Sequence, residues 1–92
     1  MSQICQRFFV SGHVQGVFYR DATTCKAEQL SVRGWVRNLS DGRVEVLACG
    51  EDKQVHALAR WLWEGSDRCR VDSVRVEQVD EPFADDDFYI KY

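Results

Sequence analysis

The stretch Gly34-Trp35-Val36-Arg37-Asn38-Leu39-Ser40-Asp41-Gly42-Arg43-Val44-Glu45-Val46-Leu47-Ala48-Cys49-Gly50 reads as a β-hairpin, and the fold follows from it. Asp41-Gly42 between two apolar-rich runs is a strong short-range turn signal, because an Asp-Gly pair accepts the positive φ that a tight connection requires. Gly34–Leu39 is then one strand and Arg43–Cys49 the next. In the second, Val44, Val46 and Ala48 alternate against Glu45, Leu47 and Cys49, the period-2 signature of a strand.

On either side of the hairpin lies a helix. After it, about Glu51–Glu64 carries Val55, Leu58, Ala59 and Leu62 at i, i+3, i+4 and i+7, one apolar stripe on a helix that Gly65 stops. Before it, about Tyr19–Leu30 repeats Tyr19, Thr23, Ala27 and Leu30, a thinner stripe at the same spacing. Outside these come Ile4–Val10 as a first strand, Val71–Val79 as a fourth and Phe88–Tyr92 as a short last one. The order β-α-β-β-α-β around a central hairpin predicts an α+β, ferredoxin-like split β-α-β sandwich, with both helices on one face of the sheet. Residues 1–92 form a single domain; a chain this short closes one core.

That arrangement makes the first and third strands antiparallel neighbours. Cys5 at the start of one and Cys49 at the end of the other share the face opposite the Ile4/Phe8/Val10 and Val44/Val46/Ala48 sets. The parity allows a contact and a disulfide under oxidising conditions. Two reduced thiols in contact are the alternative, which a cytoplasmic setting favours. The four cysteines at 5, 25, 49 and 69 contain no C-x-x-C pair of a zinc or redox motif.

Chemistry gathers in Ser11-Gly12-His13-Val14-Gln15-Gly16-Val17-Phe18-Tyr19-Arg20, where a strand meets a helix through two glycines. Glycines let successive backbone N–H groups point into one concavity, and the helix N-terminus adds partial positive charge. Arg20 brings a planar fork of donors matched to phosphate or carboxylate oxygens. The spacing fits neither a Walker A loop nor a dinucleotide fingerprint. These residues alone leave an anion cradle and a plain strand-to-helix turn both open.

Composition narrows the partners. With a net charge of −3, 45% apolar and 29% charged residues, the chain lacks the basic balance of a general nucleic-acid or membrane-surface binder. Met1–Arg7 has no signal-peptide pattern and no run reaches membrane-spanning length, so a cytoplasmic monomer is expected. Glu81-Pro82-Phe83-Ala84-Asp85-Asp86-Asp87 lacks the ligand spacing of a calcium loop and reads as solvated. His56, inside the second helix, reads as a surface residue, and Trp35 and Trp61 as packing residues.

Two motifs then decide the cradle. Gly12-x-Val14-Gln15-Gly16-Val17-x-x-Arg20 resembles the first acylphosphatase signature. Gly34-Trp35-Val36-Arg37-Asn38-x-x-x-Gly42-x-Val44-x5-Gly50 resembles the second. Length, element order and separation agree over nearly the whole chain. The resemblance implies a phosphate-binding loop at Gly12, His13, Val14, Gln15, Gly16 and Val17, a catalytic arginine at Arg20 and a catalytic asparagine at Asn38. It implies hydrolysis of acyl phosphates to a carboxylate and inorganic phosphate, with no cofactor and no metal. An acyl phosphate already carries a good leaving group, so charge neutralisation and a positioned water suffice. His13, in the cradle, is a position that the family varies.

Two rivals come from other classes. An RNA-recognition reading of Arg33-Gly34-Trp35-Val36 lacks its second aromatic and sits in an acidic chain. A catalytically idle phosphate-sensing or carbamoyl-phosphate-handling module, as found within larger hydrogenase-maturation proteins, is disfavoured by the short chain.

Overall fold

The structure is a computed structural model and describes residues 2–80, 83 and 85–92. Five strands and two helices follow in the order β1 (Gln3–His13), α1 (Tyr19–Gln29), β2 (Arg33–Asn38), β3 (Val44–Glu51), α2 (Asp52–Leu62), β4 (Arg70–Val79) and β5 (Phe88–Ile90). They form one sheet in the order β4-β1-β3-β2-β5, antiparallel except where β5 runs parallel to β2. This is the ferredoxin-like α+β arrangement.

The period-2 faces explain the layers. Phe8, Val10, Val36, Val44, Val46 and Ala48 point to one side, where Tyr19 and Ala27 of α1 and Val55, Leu58 and Leu62 of α2 close a continuous core. The apolar stripe of α2 docks as its spacing requires. The thin stripe of α1 is real: Tyr19, Thr23 and Ala27 are buried. Thr23 is satisfied there because its hydroxyl donates to the Tyr19 carbonyl at 2.8 Å.

The opposite face carries a smaller cluster of Cys5, Trp35, Leu47 and Cys49. Glu45 is buried on it, its carboxylate held between Arg37 Nε at 2.7 Å and Arg7 Nε at 3.2 Å. A buried carboxylate needs such partners, since desolvation without them would be far costlier. Cys5 pairs directly with Cys49 in the β1–β3 register, and the two side chains meet as a disulfide.

Several bounds differ from expectation. The first strand runs past Val10 to His13, because beyond a bulge at Ser11/Gly12 the chain still pairs Gly12 with Val71 and His13 with Arg70 of β4. Gly50 does not end the third strand; it pairs with Ile4. The last strand stops at Ile90. Of the acidic segment, Glu81, Pro82 and Ala84 lie outside the described residues, and Asp85, Asp86 and Asp87 are exposed. His56 is exposed, Trp35 buried and Trp61 stacked on Tyr19 with ring centroids 6.1 Å apart.

Candidate active site

The end of β1, the loop to α1 and the end of β2 meet at one end of the sheet. Gly12 is needed at the strand end for space: a Cβ there would overlap the Arg70 carbonyl oxygen across the β1–β4 ladder. Gly16 is needed for conformation instead. Its φ of 76° is left-handed, while nothing lies within 4 Å of where a Cβ would stand. Phe18 then turns left-handed as well, with φ 61°, and acts as the N-cap of α1 without a capping side chain. Among the described residues, the N–H groups of Gln15, Gly16 and Val17 donate to no protein acceptor, so these donors remain for a ligand.

A cleft of about 270 Å³ opens here, lined by Val14, Gly16, Arg20, Asn38, Ile90 and Tyr92 among others. The structure thus brings Arg20 of α1 and Asn38 of β2 to one cleft. Arg20, in the first turn of α1, has no carboxylate within ion-pair distance among the described residues. Its guanidinium lies 5.3 Å from the centre of the Tyr92 ring. Asn38 is exposed at the last position of β2.

The other expected loop residues play different parts. Gly12 and His13 belong to the β1–β4 ladder, and the His13 side chain is exposed. Val17 is buried, and its carbonyl accepts a 2.7 Å hydrogen bond from Ser66 Oγ. Gln15 does something that loop reading missed. Its Nε2 donates to the Leu39 carbonyl at 2.8 Å and to the Arg43 carbonyl at 2.9 Å, fastening the loop to the β2–β3 turn. That turn is held by its own bonds, Leu39 N–H to the Arg43 carbonyl at 2.8 Å and Gly42 N–H to the Leu39 carbonyl at 3.2 Å. Asp41 completes it, accepting from the Arg43 N–H, a bond that holds its carboxyl below the usual range.

Under the cleft, Tyr19 anchors the start of α1. Its hydroxyl donates to the Leu62 carbonyl at 2.6 Å, and burial, with the neighbouring Cys69 thiol, pushes its ionisation well above the ordinary tyrosine value. Tyr19, Ile90 and Tyr92 were legible only as members of elements; nothing in their spacing marked them as cleft residues.

Fold and cleft together define a split β-α-β domain with an open cleft between its first loop and the end of its second strand. Comparison with known proteins names the group. The Acylphosphatase family model matches residues 6–90. An acylphosphatase of Pseudomonas paraeruginosa is 56% identical over 79 residues, 86% of this chain and 87% of that protein. The solved acylphosphatase structure from Coxiella burnetii superposes with a TM-score of 0.89 at 43% identity, covering 97% of this chain and 93% of the other. That from Bacillus subtilis gives 0.93 at 31% identity, covering 97% and 99%. The chain belongs to the acylphosphatase family and is, with it, an enzyme of the hydrolase class. No helix among the described residues is long and apolar enough to cross a membrane.

Proposed function

We propose that the enzyme hydrolyses acyl phosphates by in-line attack of water, the phosphoryl group held by the loop amides and Arg20 and the water by Asn38. The observation that carries this reading is the meeting of Arg20 and Asn38 with the Val14–Gly16 loop in one cleft.

The roles follow from chemistry. The free amides and an unpaired guanidinium together form a preorganised site for the equatorial phosphoryl oxygens. Asn38 offers both a donor and an acceptor, as needed to orient a water. The water oxygen forms a bond to phosphorus while the bond from phosphorus to the acyl oxygen breaks. That electron pair leaves with the carboxylate, and a water proton passes to a phosphoryl oxygen, giving carboxylate and dihydrogen phosphate. The leaving group needs no proton, so the reaction does not require a general acid. Because the enzyme's net charge repels its anionic substrate, attraction has to come from these local donors.

The test is release of phosphate from benzoyl phosphate by the wild type, Arg20→Ala and Asn38→Ala. Arg20→Ala should lose phosphate affinity and turnover. Asn38→Ala should lose roughly a hundredfold or more in kcat while retaining phosphate affinity. Wild-type turnover in either variant would remove that residue's assigned role.

A further inference from the structure

We infer that the groove beside the cleft receives the acyl group, and that Phe18 and Asp21 select substrates whose acyl group is neutral and apolar, aromatic ones first. This rests on the cleft being the phosphoryl site. The groove, of about 620 Å³, starts at Phe18 and Asp21, which also line the cleft, and continues along Ala22 and Cys25 of α1 to the loop at Gly65–Arg68.

Its position follows from the direction of the reaction. In-line displacement places the entering and leaving oxygens on opposite sides of phosphorus. With the water at the Asn38 wall, the acyl oxygen faces away from β2. Asn38, Ile90 and Tyr92 line the cleft and not the groove, whereas Phe18 and Asp21 line both. The leaving group therefore emerges where the groove begins.

Phe18 carries two costs that the fold does not repay. It is 76% exposed, and its φ of 61° is a conformation unfavourable to any residue with a Cβ. Strain of that kind persists where a site uses it. Here it lifts a phenyl ring onto the common rim, where an acyl group can lie against it.

The far wall is already set. Ser66 Oγ holds the Val17 carbonyl, and the Gly65 N–H donates to the Trp61 carbonyl at 3.0 Å. Gly65 packs so closely on the Tyr19 ring and the Cys69 sulfur that a Cβ would not fit. A preformed groove binds its occupant without an ordering cost. Charge completes the selection: Asp67 and Arg68 offset one another, leaving Asp21 at the rim to disfavour an acyl group with a second carboxylate.

The experiment compares kcat/KM for benzoyl, acetyl and succinyl phosphate in the wild type, Phe18→Gly, Cys25→Trp and Asp21→Asn. Phe18→Gly relieves the backbone, and Cys25 is exposed on α1, so both variants should fold. The benzoyl-to-acetyl ratio should fall roughly tenfold in each, through KM, the scale of one lost aromatic contact. Asp21→Asn should raise succinyl phosphate relative to benzoyl phosphate. Ratios unchanged in all variants would overturn the groove and leave acyl phosphate hydrolysis standing. Release of phosphate from none of the three substrates would overturn the phosphoryl cleft and the groove with it.

Discussion

Gln15 Nε2 donates to the Leu39 carbonyl oxygen at 2.8 Å, tying the loop after β1 to the turn that follows Asn38. The same nitrogen reaches the Arg43 carbonyl, so both amide hydrogens hold the loop after β1 against the hairpin that carries Asn38. Gln15→Glu replaces a double donor with an acceptor facing two carbonyl oxygens. It should cost about 1–3 kcal/mol of stability and lower kcat at least tenfold. Denaturant unfolding and steady-state kinetics check this; full kcat in Gln15→Glu would show that the strap does not position the site.

Gly12 and Gly16 should respond differently to alanine. At Gly16 the added Cβ meets only open space, so the penalty is that of a left-handed φ, about 1–2 kcal/mol. At Gly12 the same Cβ collides with the backbone of β4. Gly12→Ala should therefore be the more destabilising of the two, while Gly16→Ala should remain folded and lose phosphate affinity. Unfolding midpoints with phosphate titrations separate the cases, and equal midpoints would contradict the stated causes.

Tyr19 predicts an alkaline limit. Its ionisation is raised in the folded state above the ordinary value of 10.0, by burial first. The native state thus keeps the proton that the unfolded chain gives up. Its contribution is complete below pH 10 and declines as pH climbs beyond that value. Tyr19→Phe should lower stability by about 1–2 kcal/mol at neutral pH, through the lost bond to the Leu62 carbonyl, and flatten the decline above pH 10. Unfolding free energies from pH 7 to 11 in both proteins decide it.

The Cys5–Cys49 pair closes a loop with a sequence separation of 44. In the chain-entropy picture such a link stabilises by about 4 kcal/mol. Air-oxidised protein should titrate two thiols in denaturant, from Cys25 and Cys69, and should lose stability when a reductant is added. Four thiols in that titration would refute the link.

Much of this fold is written in short-range patterns. Asp41-Gly42 set the hairpin, and the Val55/Leu58/Leu62 stripe set α2, because each signal depends on neighbours in sequence. The facing of Cys5 and Cys49 followed from parity once β1 and β3 were antiparallel. What could not be read depends on distant partners. β1 continues through Gly12 and His13 only because β4 is there to pair with them. The seat of β5 alongside β2 is a choice among sheet edges that Phe88–Ile90 does not announce. In the site, Arg20 stood out by its donor fork at the start of a helix, and Asn38 through motif resemblance. The Gln15 strap did not, because a glutamine shows its two acceptors only when the hairpin has come round to meet it.

The sheet order has a consequence for how misfolding would look. β3 lies between β1 and β2 and, with the Gln15 strap, carries the alignment from the loop to Asn38. A slip of one residue in its pairing would turn Val44, Val46 and Ala48 outward and drive Glu45 into the core. It would also shift the asparagine by a step along the edge of the cleft. A collapsed chain with the wrong strand alignment would be catalytically silent, so turnover in this enzyme doubles as a proofreading signal for the sheet.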